Sequence, residues 1–358
     1  MERGLPTPPE ASEFRPEKIN GNFKGKDILS MEQFDPVSIS KLFKLTKKMS
    51  EIAKNARHSK MLAGNLTTLL FYEPSSRTMN SFDAAMKQLG GETLVEKDPK
   101  NFSSVAKGET FEDTIRTFEA YCDAIVIRHP QVGQAQKAAE AAEFVPIINA
   151  GDGIGEHPTQ ALLDLYTIWE KTGILSGLKC LFAGDIKNGR TVHSLLKALS
   201  LYPNNTAYLL SPELLKLDRI LLEELKMKGL NIVEIDKVED IPKDANVWYW
   251  TRVQKERFNN PDDYEKVKNK FIATPELLNE YGNENMILMH PLPRVGEITE
   301  DVDKDPRAVY LRNQVRNGMY IRMALLASVL GRNDPWEVFM EKLKIWKKNH
   351  KIKIPINI

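Results

Sequence analysis

The sequence predicts an α/β protein built from two doubly wound, parallel-sheet domains with the active site between them. Short β-rich stretches alternate with helical patterns in βαβ order through residues 66–170, and a second series of the same kind runs through residues 179–289. Polar turns recur just past the strand ends, where ligands of such sheets gather. At 358 residues the chain is long enough for two separate cores.

Residues 1 to about 22, with Pro6, Pro8, Pro9 and Pro16, read as a loose arm outside the fold. A first helix is expected over residues 35–54. The strand 66–71 then runs into Glu73-Pro74-Ser75-Ser76-Arg77-Thr78, where a helix begins. Met79, Phe82, Met86 and Leu89 recur at helical spacing, and Gly90-Gly91 stops the pattern. Strands follow at 92–95, 124–128 and 145–148, with helices starting near Thr110 and Gly133. Another helix opens at His157-Pro158 and is ended by Lys171-Thr172-Gly173. The second series places strands at 179–183, 207–210, 231–235, 247–250 and 286–289. The expected division is an arm (1–22), a first domain (23–157, completed by C-terminal helices at about 316–358) and a second domain (158–315).

Composition narrows the partners. With 50 basic and 49 acidic residues the chain has no overall field, and its arginines sit in separate turns instead of a stripe, which disfavours nucleic acid and favours a small molecule. No apolar run approaches a membrane span, and the first 20 residues lack a signal-peptide core, so a cytoplasmic location is expected. Cys122 and Cys180 read as buried thiols without a disulfide framework. The histidines are not spaced as metal ligands, and no metal is expected.

The turns carry the chemistry. Ser75, Ser76, Arg77 and Thr78 at a helix N-terminus bring hydroxyls and a guanidinium to unpaired N–H groups, which suits a phosphate. Serine at a helix start is also a common cap, and the four residues alone support either reading. Arg128-His129-Pro130 and Asn149-Ala150-Gly151-Asp152-Gly153 end strands at the same sheet edge. His157 and Gln160 share one face of a first helical turn, where the ring can donate to a ligand oxygen and the amide can meet an NH₂ group; a histidine there can equally be a cap. In the second half, the stretch from Ala183 to His193 departs from G-x-G-x-x-G, so it is a weak nucleotide signal. Arg190, Arg252 and Gln254 lie just beyond strand ends, and guanidinium forks suit carboxylates, although a lone arginine is as well explained by solvent. In His290-Pro291-Leu292-Pro293-Arg294, two prolines flank Leu292 and restrict the direction of its carbonyl.

Taken together, these turns resemble the carbamoyltransferase family, and within it the aspartate-using branch, over about residues 25–332. The match comprises Ser75-Ser76-Arg77-Thr78, Ser104 and Lys107 before Gly108-Glu109-Thr110, Arg128-His129-Pro130, His157-Pro158-Thr159-Gln160, Lys187-Asn188-Gly189-Arg190-Thr191, Thr251-Arg252-Val253-Gln254 and His290-Pro291-Leu292-Pro293-Arg294. The ornithine branch typically has cysteine where this chain has Pro291, and it needs an acidic partner where this chain offers arginines.

The resemblance implies transfer of a carbamoyl group from carbamoyl phosphate to the amine of L-aspartate, a step of pyrimidine synthesis, without cofactor or metal. It places the phosphate on Ser75, Ser76, Arg77 and Thr78, and the carbonyl oxygen on Thr78, Arg128 and His157. Gln160 and the Leu292 carbonyl, with Pro293 beside it, would hold the carbamoyl NH₂. Lys107, Arg190, Arg252 and Gln254 would bind aspartate. Ser104 and Lys107 would reach in from a neighbouring subunit of a homotrimer, and Glu73 would meet Arg190 and Arg257 as the domains close. The implied alternatives are transfer to ornithine or a related amine, or a non-catalytic subunit of the same fold; a regulatory chain or another pathway enzyme is compatible as a partner. Two positions depart from the more frequent S-T-R-T-R cradle: Ser76 keeps a hydroxyl, whereas Met79 removes a charge and can pack. Beyond Asn333, Trp336, Phe339, Leu343 and Trp346 recur at helical spacing opposite several lysines, expected as a helix docked on its own domain or as a partner surface, with no membrane role.

Overall fold

The computed structural model describes residues 16–56, 58–102 and 104–332. Two all-parallel sheets organise them. In the first, β1 (Leu66–Phe71), β2 (Glu92–Lys97), β3 (Ala124–His129) and β4 (Ile147–Asp152) lie in the order β2-β1-β3-β4. In the second, β5 (Lys179–Ala183), β6 (Thr206–Leu210), β7 (Asn231–Ile235), β8 (Val247–Trp250) and β9 (Ile287–Met289) lie in the order β7-β6-β5-β8-β9. Each sheet is wound outward from its first strand in one direction and then in the other. The reversals fall between β1 and β3 and between β5 and β8, and a doubly wound sheet opens its ligand crevice there. The ends of those four strands and the loops and helix starts that follow them carry Ser75 to Thr78, Arg128, Arg190, and Arg252 with Gln254.

The helices connecting these strands are α1 (Pro36–Glu51), α2 (Ser76–Gln88), α3 (Pro99–Phe102), α4 (Phe111–Glu119), α5 (Gln134–Ala141), α6 (Pro158–Thr172), α7 (Arg190–Leu199), α8 (Arg219–Met227), α9 (Pro261–Val267) and α10 (Pro275–Tyr281). The last, α11 (Val315–Val329), returns to pack on α1, α2 and α6. From Tyr320 to Val329 every residue of α11 is buried, so this helix is a core element without a polar face. β3 and β4 are likewise buried at every position, as parallel strands covered on both faces are. Cys180 is buried and Cys122 half-buried.

Two expectations need correction. The loose arm does not extend to residue 22: Ile19 is fully buried in the apolar cluster that holds Phe23, Met31 and Phe34, and its N–H donates to the Gln33 carbonyl at 2.9 Å. One well-placed isoleucine anchors residues 16–22. The fourth strand also starts later and runs further than 145–148, taking in the polar run Asn149 to Asp152. Ile28 makes a parallel bridge there, donating its N–H to the Ile147 carbonyl and accepting from the Asn149 N–H, both at 2.8 Å. Residues 333–358, with the basic C-terminal pattern, lie outside the described residues.

Ile19→Ala should therefore destabilise the protein by about 2–5 kcal/mol, the usual cost of emptying a core site, read from the urea unfolding midpoint. An unchanged midpoint would return the segment to the status of an arm.

Candidate active site

The helix starts around the crevice lack the side-chain caps that most other helices carry, although α11, which continues directly from the turn before it, lacks one too. Asp35, Thr110, Asp218, Asn260 and Thr274 cap α1, α4, α8, α9 and α10 with their side chains. Asp152 does the same for α5, accepting from the N–H groups of Gly133 (2.8 Å) and Gln134 (3.2 Å). At the starts of α2, α6 and α7, residues Ser75, His157 and Gly189 make no side-chain cap bond. The question left open for Ser75 is answered by this contrast: its hydroxyl does not serve as a cap. These helices leave N–H donors and their positive dipole ends for a ligand.

Arginines gather around the same ends. Arg128, at the end of β3, donates Nη2 to Glu73 Oε2 at 2.8 Å and Nη1 to the Ala150 carbonyl at 3.1 Å. Arg190, the first residue of α7, donates Nη2 to the same Glu73 oxygen at 3.3 Å and Nη1 to the Gly153 carbonyl at 2.5 Å. One carboxylate oxygen thus joins a guanidinium from each sheet. Gly151 makes the approach possible: its φ is +125°, and a Cβ there would lie 2.7 Å from Arg128 Nη1 and 3.4 Å from Arg190 Cζ. Burial, reinforced by Arg190, holds the Arg128 guanidinium down to about 10 despite Glu73. Arg77, exposed at the start of α2, is lowered by burial of part of the group and by Arg252 across the crevice. Thr78 beside it is buried.

His157 is buried, and its backbone N–H donates to Ser194 Oγ at 3.0 Å. Its ring lies in the field of Arg128, Arg190 and Arg322. Burial first, and these charges second, hold it well below the ordinary histidine range. A neutral imidazole here keeps an N–H to donate without adding another positive charge. Gln160, one turn into α6, donates Nε2 to Asp164 Oδ1 at 3.0 Å.

On the second sheet, Asp185 is fully buried and organises the loop after β5. It accepts from the Asn188 N–H at 3.0 Å and from the Gln254 N–H at 3.2 Å, while Gln254 Nε2 donates to the Asn188 carbonyl at 2.9 Å. Arg252 forms a fork with Glu256, one arm at 3.0 Å. After β9, Leu292 has φ +54° and is followed by a cis bond to Pro293. Its N–H donates to His290 Nδ1 at 2.8 Å, and His290 Nε2 therefore carries the proton and donates to Glu297 Oε1 at 2.6 Å.

The structure thus brings together Ser75 to Thr78, Arg128, His157, Gln160, Arg190 and Arg252. Ser104 and Lys107 do not join them: they lie on an exposed 3₁₀ turn, Ser104–Lys107, and take no part in the hydrogen bonds or ion pairs of this cluster. Arg257 is exposed and is not a partner of Glu73; Arg128 holds that place beside Arg190. Sequence reading missed Asp164, Tyr249, Gln314 and Arg322. The signal was present, because Asp164 interrupts an apolar run four residues after Gln160 and Arg322 interrupts another. Among the described residues no group of three or more His, Cys, Asp or Glu is placed to hold a metal ion.

Because the folded-state pKa of His157 lies below the unfolded value of about 6.5, the unfolded chain binds the extra proton more readily. The stability this residue contributes is complete above about pH 6.5 and declines as the pH falls. Ring ¹⁵N spectra should show His157 still neutral at pH 6; a ring half-protonated there would contradict the electrostatics described.

The family model for the carbamoyl-P binding domain of aspartate/ornithine carbamoyltransferases matches residues 26–170, and that for the Asp/Orn binding domain matches residues 176–329. The chain is 46% identical over 309 residues to the aspartate carbamoyltransferase catalytic subunit of Methanocaldococcus jannaschii, covering 86% of this chain and 99% of that one. It is 48% identical over 312 residues to the multifunctional protein pyr1-3 of Dictyostelium discoideum, covering 87% of this chain but only 14% of that much longer protein. A crystal structure of aspartate transcarbamoylase from Trypanosoma cruzi in complex with carbamoyl phosphate and aspartate superposes with a TM-score of 0.80 at 41% identity, covering 89% of this chain and 100% of that one. With both halves matched in order, and the crevice between them lined as described, the chain belongs to the aspartate/ornithine carbamoyltransferase family.

Proposed function

We propose that this protein transfers the carbamoyl group of carbamoyl phosphate to the amine of L-aspartate, releasing N-carbamoyl-L-aspartate and phosphate, as a step of pyrimidine synthesis. The observation that carries the reading is the convergence of Arg128 and Arg190 on Glu73 beside His157 and the uncapped start of α2. Such a crevice has more cationic than anionic groups, and its donors are fixed by the backbone before substrate arrives.

In this reading the phosphate sits on the N-terminus of α2 with Ser75, Ser76, Arg77 and Thr78. Thr78, Arg128 and His157 polarise the carbamoyl oxygen, and Gln160 and the Leu292 carbonyl, with Pro293 beside it, receive the NH₂. The carboxylates of aspartate pair with Arg190 and Arg252, assisted by Gln254 and by Lys107. The neutral amine attacks the carbonyl carbon, and negative charge develops on the carbonyl oxygen. The C–O bond to phosphate then breaks, and the amine proton passes to the departing phosphate. Fixed donors around the developing oxyanion need little reorganisation during the step, and orientation alone can supply effective molarities of about 10⁵–10⁸ M.

Assembly as a homotrimer with shared sites belongs to the same proposal. Ser104 and Lys107 are exposed and stand apart from their own chain's cluster, and β2 presents Leu94 and Val95 to solvent at the edge of the first sheet. A neighbouring copy bringing that turn to the crevice would use both features.

Purified protein given carbamoyl phosphate with L-aspartate or L-ornithine should form carbamoyl-aspartate alone. Carbamoyl-ornithine, or neither product, would overturn the reading. Arg252→Ala should raise the KM for aspartate by roughly 10- to 150-fold, the worth of one charged hydrogen bond of about 1.5–3 kcal/mol. For the shared site, Arg77→Ala and Lys107→Ala proteins, each inactive alone, should regain roughly a quarter of full activity when dissociated, mixed equally and reassembled in a cyclic oligomer. No recovery after verified subunit exchange would count against sharing.

A further inference from the structure

Asp164 lies one turn after Gln160 on α6, fully buried, and accepts three hydrogen bonds from three parts of the chain. Gln160 Nε2 donates to its Oδ1 at 3.0 Å, Gln314 Nε2 to the same oxygen at 2.6 Å, and the Tyr249 hydroxyl to Oδ2 at 2.8 Å. We propose that Asp164 is the positioning residue through which the site distinguishes a carbamoyl group from an acyl group of the same shape. The inference rests on carbamoyl phosphate being the substrate.

Above about pH 7, where its carboxyl is ionised despite burial, Asp164 can only accept. A glutamine beside it must turn its NH₂ inward, and the opposite end of that amide is then an oxygen. If Gln160 faced the other way, two acceptors would oppose each other in a buried site, which is strongly unfavourable. Its Oε1 is therefore the end left for the substrate. Gln314 obeys the same constraint on the other side: its Nε2 goes to Asp164, so its Oε1 accepts the His290 N–H at 3.0 Å. His290 in turn accepts the Leu292 N–H at 2.8 Å. One carboxylate thus orders both groups assigned to the carbamoyl NH₂, Gln160 directly and the Leu292 turn through Gln314 and His290.

The consequence is chemical selection. A carbamoyl NH₂ donates two hydrogen bonds, whereas the methyl of an acetyl group of similar size donates none and leaves two acceptors unpaired. Sites built this way reject the analogue that lacks the donor far better than apolar pockets reject a missing methylene. Tyr249 adds a third donor, to the other carboxylate oxygen of Asp164.

The test compares inhibition or binding constants for carbamoyl phosphate, acetyl phosphate and inorganic phosphate in the full-length protein and in Asp164→Asn. An asparagine offers a donor as well as an acceptor, so Gln160 can turn over. The preference for carbamoyl over acetyl phosphate should fall about tenfold or more, while the affinity for inorganic phosphate stays within about twofold. Gln160→Met should lose the same preference, and adding Asp164→Asn to it should cost no more. Equal weakening of all three ligands would mean a general structural or electrostatic role, and an unchanged preference would also overturn the proposal. Should the asparagine protein fail to fold, neutron diffraction from the deuterated unaltered protein decides, because nitrogen with its deuterons and oxygen scatter differently. Gln160 with its oxygen toward Asp164 would refute the assignment, and its ND₂ there would support it. An unaltered protein that binds inorganic phosphate but not carbamoyl phosphate would instead remove the substrate reading on which the inference stands.

Discussion

The buried carboxylate of Asp164 is the constraint around which the two halves of the molecule are joined. Removing an ion from water costs several kcal/mol even after relaxation, and the cost is offset only when its lone pairs are used well. Asp164 uses donors from α6, from β8 of the second sheet and from the turn entering α11. Burial still pushes its carboxyl up to about 7, with Arg322 opposing the rise as a weaker influence. A group this costly to bury fixes the relative placement of its donors, because a donor that withdraws weakens the compensation of a buried charge.

A second electrostatic arrangement sits above it. Arg128, Arg190 and Arg252 each already have a carboxylate partner, Glu73 for the first two and Glu256 for the third. These pairs keep like charges from several strand ends close together in a partly buried crevice. Under the proposed function, anionic substrates would compete with protein carboxylates for the same forks, and affinity would be a difference between two sets of ion pairs.

Packing ties the chain ends to this frame. α11 is the last described helix yet lies against α1, α2 and α6, so the first domain is closed by residues that follow the second. Ile19 closes the same core from the other end. In both cases local reading falls short: neither the stretch around Ile19 nor a helix buried at nearly every position declares which surface it will meet, and in each a distant apolar surface decides.

Much of the fold was legible because its signals are local. Pro158 begins its helix in the first turn, and Asp35 and Thr110 cap theirs, since an N-terminus must satisfy its N–H groups within a few residues. The polar turns after β1, β3, β5 and β8 were readable for the same reason, and their order carried the family resemblance. The sequence by itself therefore determined the βαβ order, the cradle from Ser75 to Thr78, the pairing of His157 with Gln160 on one helical face and the arginines after the second-sheet strands. Only the tertiary structure decided that Glu73 joins Arg128 to Arg190, that Ser75 leaves its hydroxyl out of capping, that Ser104 and Lys107 stand outside their own chain's cluster, and that Asp164 orients Gln160. Glu73 and Arg190 are 117 residues apart, and Tyr249 and Gln314, which share Asp164 with the nearby Gln160, lie 85 and 150 residues from it; the low-dielectric burial that makes such contacts decisive exists only once the chain has folded.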